Sequence, residues 1–76
     1  MHPAQQDNPI AVVDRIAAII NYVAEQRSAV SISEVSRRTG LPKSTTSRIV
    51  RSLIPHGLLE FQDEGLVLGL RFFELG

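Results

Sequence analysis

The stretch from Ser33 to Leu53, SEVSRRTGLPKSTTSRIVRSL, constrains this chain more than any other part of it. Gly40 is placed for the left-handed conformation that ends a helix abruptly. Two residues later, Pro42 suits the first position of a new helix, where a missing N–H costs nothing. The pattern predicts a short helix from about Ser33 to Thr39 and a second over about Pro42–Ile54. A serine caps the first. Glu34 lies three residues after Ser31, so a capping box begun at Ser31 is the rival boundary. Ser36 supplies a small side chain, four residues before Gly40, where two helices must cross closely. This order of small residue, glycine and a new apolar-opening helix is the helix-turn-helix signature.

At 100° per residue the second helix divides into two faces. Thr46, Ile49, Val50, Leu53 and Ile54 gather on one, and Ser44, Thr45, Ser47, Arg48, Arg51 and Ser52 on the other. No acid interrupts the polar face, whereas a solvated helix normally mixes both signs. Arg48 is the best base reader, since a guanidinium matches guanine O6 and N7 with two hydrogen bonds. Lys43, Ser44, Thr45 and Ser47 complete the base-readout candidates, although Lys43, like Arg51, is better suited to clamping phosphate. Ser33, Arg37, Arg38, Arg51 and Ser52 are the phosphate candidates. For Arg37 and Arg38 the bland alternative is favourable placement at the negative end of their helix. For Ser33 it is capping.

The net charge of zero conceals a strong segregation. Asp7, Asp14 and Glu25 against Arg15 leave residues 1–26 at −2. Arg27, Arg37, Arg38, Lys43, Arg48 and Arg51 against Glu34 put residues 27–51 at +5. Glu60, Asp63, Glu64 and Glu74 against Arg71 return −3 over residues 52–76. A neutral chain with a basic middle can still present a face to phosphate.

Around this centre the chain is simple. Residues 1–9 read as a loose arm, and a helix follows from Ile10 to about Gln26. Its apolar residues cover about half the wheel, more than the ~100° stripe a surface helix needs. Either both other helices pack on it, or part of the face, with Val12, Ile16, Ile19 and Val23 as candidates, meets a second chain. Ser28 to Ile32 alternates as a brief strand or an extended entry to the next helix. Pro55 stops the later helix and Gly57 permits the reversal. Leu58–Phe61 and Leu66–Leu68 then read as a β-hairpin, with Gln62 to Gly65 as a four-residue loop and Gly65 at positive φ. The closing LGLRFFELG is dense in apolar residues and suggests the start of a further helix.

These elements make a mainly α (α+β) chain: a winged helix-turn-helix with a three-helix core, a C-terminal hairpin wing and the start of a linker helix. The domain spans residues 10–69 and the linker helix begins over 70–76. Catalysis lacks parts, with no Ser-His-Asp set, paired buried carboxylates or glycine-rich phosphate loop. There is no cysteine, and His2 and His56 lie far apart, so neither metal nor cofactor is expected. No apolar run reaches the ~20 residues of a membrane span and no signal peptide is evident, so a cytoplasmic protein is expected.

From Val13 to Gly76 the chain resembles the N-terminal DNA-binding domain of the IclR family of bacterial transcriptional regulators. SISEVSRRTGLPKSTTSRIVRSL, the HGLLE that opens the hairpin, and LGLRFFELG carry the resemblance. It implies double-stranded DNA as partner and a homodimer placing two recognition helices on a palindromic operator. It further implies a small-molecule effector bound by a C-terminal domain beyond these residues. Thr46 departs from the family by standing where an aliphatic residue usually faces the core; its hydroxyl can bond to the carbonyl four residues back. The wing loop carries Asp63 and Glu64 without a base, which phosphate would repel. The rival class is a winged-helix protein-interaction module using the apolar face of the first helix.

Overall fold

The computed structural model describes residues 9–75, the side chains of Pro9 and Leu75 excepted. The arm expected over residues 1–9 lies outside them except for Pro9, which opens the first helix. In order, the elements are α1 (Pro9–Glu25), α2 (Ile32–Thr39), α3 (Lys43–Leu53), a 3-10 turn over Ile54–His56, β1 (Leu59–Gln62), β2 (Gly65–Leu68) and α4 (Leu70–Leu75). This is the expected winged helix-turn-helix.

The core draws one or two side chains from each of five elements. Ile19 and Val23 come from α1, Val35 from α2, Val50 and Leu53 from α3, Leu59 from β1 and Leu66 from β2. Thr46 is the one buried polar residue among those described, and its Oγ1 donates to the Pro42 carbonyl at 3.0 Å. The aliphatic position therefore tolerates a hydroxyl because the preceding turn satisfies it.

Capping settles where α2 begins. Ser31, not Ser33, is the N-cap, and its Oγ accepts from the Glu34 N–H at 3.0 Å. Gly40 closes the helix at φ +77°, donating its N–H to the Ser36 carbonyl. Ser36 adds a bond that spacing alone did not foretell: its Oγ donates to the Leu41 carbonyl at 2.6 Å and pins the turn. Pro42 stands one place earlier than expected, as the N-cap of α3 in an extended conformation (ψ 147°). The second helix of the turn thus starts at Lys43 and gives way to the 3-10 turn after Leu53, short of the expected Ile54.

The hairpin is tighter than the sequence suggested. Leu59 pairs with Leu68 and Gln62 with Gly65, so the loop is only Asp63-Glu64. Asp63 takes the positive φ (59°), not Gly65. An aspartate tolerates that region because its short polar side chain bonds locally. Gly65 is required for another reason. Val30 bridges Leu66 with two backbone bonds, which brings the 29–30 segment against β2. A Cβ on Gly65 would lie 2.6 Å from the Ala29 Cβ and 2.9 Å from its carbonyl carbon. Backbone bonds from Gly69 to Leu58 and from Arg71 to Gly57 tie the start of α4 to the foot of the wing.

Candidate nucleic-acid interface

Because Thr46, Val50 and Leu53 are buried, the opposite side of α3 faces outward by helical geometry. Lys43, Ser44, Arg48, Arg51 and Ser52 are exposed, with Thr45 and Ser47 half-buried at the margins. All seven polar candidates on this helix therefore share one accessible surface, and no acid lies among them. The Arg48 side chain makes no hydrogen bond or ion pair among the described residues. Arg51 is steered along the helix, its Nε donating to Ser47 Oγ at 3.2 Å.

Ser52 is weaker than it looked. Its hydroxyl hydrogen is committed to the Arg48 carbonyl at 2.9 Å, so donation to phosphate would break a bond already made. Like Arg48, it also borders an apolar pit of about 190 Å³ between α1 and α3, with Val12, Ile16 and Ile49. Ser33 moves the other way. With Ser31 acting as cap, Ser33 lies exposed in the first turn of α2, where backbone N–H groups lack helical partners and favour anions.

Arg37 and Arg38 are exposed but not idle. Arg37 Nη2 pairs with Glu34 Oε1, and Arg38 Nε lies 3.2 Å from Glu34 Oε2. The Tyr22 hydroxyl approaches the same carboxylate at 3.5 Å. The hydrogen bonds from Arg37 and then Arg38 hold the Glu34 carboxyl below its ordinary pKa, while the Glu34 carboxylate raises that of Arg38. The i, i+3 and i, i+4 spacing of these residues was the available signal for this cluster.

Two dimer candidates are withdrawn by burial. Ile19 is fully buried and Val23 is 4% exposed; both are core residues of this chain and present nothing to a second one. Val12 is exposed and Ile16 half-buried, so only the N-terminal half of α1 keeps an open apolar face, which Val13 extends. On the wing, Asp63 and Glu64 stand exposed at the loop. Among the described residues no helix is long and apolar enough to cross a membrane, and no group of His, Cys, Asp or Glu could hold a metal ion.

Residues 12–63 match the model of the IclR helix-turn-helix domain. Among solved structures, an IclR homologue from Microbacterium hydrocarbonoxydans complexed with 4-hydroxybenzoate is 32% identical, with a TM-score of 0.74; the match covers 84% of this chain and 27% of that one. An IclR homologue from Microbacterium sp. strain HM58-2 is 33% identical, with a TM-score of 0.74, over 83% of this chain and 27% of its own. An IclR family transcriptional regulator from Brucella abortus shares the fold, with a TM-score of 0.76 at 24% identity, over 96% of this chain and 29% of its own. The chain thus spans between a quarter and a third of the length of these relatives. No curated protein matches it.

Proposed function

The chain belongs to the IclR helix-turn-helix family of DNA-binding transcription regulators, and from that premise we propose that α3 enters the major groove of a palindromic operator. The observation that carries this reading is the acid-free outer face of α3, turned to solvent by the burial of Thr46, Val50 and Leu53. Arg48, at the centre of that face, reads a base edge, with Lys43, Ser44, Thr45 and Ser47 beside it. Arg51 clamps phosphate, Ser33 offers a second contact at the start of α2, and Arg37 and Arg38 join once they leave Glu34. The acidic wing tip stays off the backbone.

Two copies would associate through the open N-terminal half of α1, around Val12 and Ile16, and place their α3 helices in successive grooves of the two half-sites. Residues 10–69 form the reading domain, and α4 starts a linker toward an effector-binding domain. The Microbacterium hydrocarbonoxydans homologue, complexed with 4-hydroxybenzoate, supports a small organic effector there. A regulator of this kind acts in the cytoplasm and performs no catalysis of its own.

The test is Arg48→Ala, measured on a selected operator and on an unrelated duplex. Loss of about 1–3 kcal/mol on the operator, with relaxed preference at one base position, is expected. Equal losses on both duplexes would move Arg48 from base reading to phosphate contact.

The exposed Val12 and Val13 favour one other reading, docking of a protein partner on α1. Binding of that kind would hardly respond to salt.

A further inference from the structure

Building on the DNA-binding reading above, we propose that Glu34 is a built-in counter-ion that limits affinity for DNA by holding Arg37 and Arg38 away from phosphate. Glu34 is the only acid between residues 27 and 51, the segment that carries six of the eight basic residues. Its two carboxylate oxygens are divided between the two guanidiniums, one each, so a single side chain neutralises both. The Tyr22 hydroxyl of α1 approaches the Oε2 that Arg38 uses, at 3.5 Å.

The placement matters for DNA. Arg37 and Arg38 end α2, and only Gly40, Leu41 and Pro42 separate that helix from Lys43 at the start of α3. The pair therefore lies in the last turn of α2, within a few residues of the entry to α3, and on the DNA-binding reading a groove's phosphates would pass there. The Arg37 and Arg38 side chains are 69% and 60% exposed, so their ion pairs are solvent-screened and exchangeable. A phosphate can take an arginine in the same two-pronged way as a carboxylate. Each exchange, however, strands the Glu34 carboxylate next to the incoming phosphate. Binding through these arginines is thereby weakened without being forbidden. Arg48, which has no such internal partner among the described residues, is spared this competition and keeps its weight in sequence choice.

Glu34→Gln tests this directly, since Gln preserves side-chain length and leaves the backbone N–H that Ser31 caps in place. Affinity for a random duplex at ~50 mM salt is expected to rise about three- to tenfold, the range of two exposed ion pairs. The same substitution in an Arg37→Gln, Arg38→Gln background separates local release from a general charge effect. There the gain is expected to vanish. Unchanged affinity in the first background, or an equal gain in both, would overturn the proposal.

A second measurement does not depend on the Glu34 variant folding. Arg37→Gln with Arg38→Gln on the unmodified chain is expected to leave the log–log salt slope of binding within about one of its original value, since guanidiniums held by Glu34 neutralise little phosphate. A log–log salt slope shallower by about two than that of the unmodified chain would show both guanidiniums already on phosphate, and would overturn it too. Failure of the unmodified chain itself to bind the duplex would instead defeat the DNA-binding reading on which the proposal rests.

Discussion

Gly65 shows how a residue can be indispensable for a reason that lies elsewhere in the chain. Its backbone needs no unusual φ, but the Ala29–Val30 segment passes so close that a Cβ would meet backbone atoms, which cannot swing aside. Gly65→Ala is therefore expected to destabilise the domain by about 1–3 kcal/mol, read as a shift in the denaturation midpoint. An unchanged midpoint would mean that the 29–30 segment moves freely off β2. Sequence marked this glycine as special but assigned the wrong cause, because the close approach is made by residues more than thirty positions away. Gly40, whose cause is local, was read correctly as an αL helix end. Thr46 belongs with Gly40. The acceptor for its buried hydroxyl lies one helical turn back, within reach of pattern reasoning.

At the scale of single elements, α2 depends most on side chains at its ends. Only eight residues long, it is too short to persist on propensity and relies on caps and packing. Ser31→Ala removes the acceptor for the Glu34 N–H and is expected to cost about 0.5–2 kcal/mol, with Ser33→Ala near neutral by the same thermal assay. The reverse order would restore Ser33 as the cap. Two serines two residues apart gave the sequence no means of choosing, and the choice was made by where the chain enters the helix from Val30.

Glu34 makes α2 sensitive to acid. Its folded pKa lies below the unfolded one, chiefly through the hydrogen bonds from Arg37 and Arg38. Its contribution to stability is thus complete above the unfolded pKa and is lost as pH falls through the lowered, folded value. The difference in thermal midpoint between the unmodified chain and Glu34→Gln is expected near neutral pH and should close at acid pH, below the ordinary carboxylate range. A difference that persists there would assign the effect to shape instead of charge. The most legible element was α3, since its two faces differ in both polarity and charge. Its ends were not, because a proline serves equally well as cap or first helical residue until the backbone is seen.

Over the whole molecule, charge and apolar surface are sorted to different places. Bases concentrate on the two helices of the turn, acids stand at the wing beside the exposed Phe61 of β1, and the rest of the open apolar surface lies on the N-terminal half of α1 and on Leu70 and Phe73 of α4. The wide apolar face of α1 was visible in its spacing, but its division between core and open surface was not. Ile19 and Val23 lie on the same half-wheel as Val12, and only the packing of α2, α3 and the hairpin decides that the C-terminal part is covered.

The most direct test of the account is binding of a labelled random-sequence duplex at ~50 and ~200 mM salt, with selection of preferred sites alongside. Affinity is expected to fall steeply with salt, and selection is expected to enrich a palindrome whose half-sites lie about one helical turn, or a multiple of it, apart. No binding even at the lower salt would contradict it, and binding indifferent to salt would point to a protein partner on the apolar face of α1.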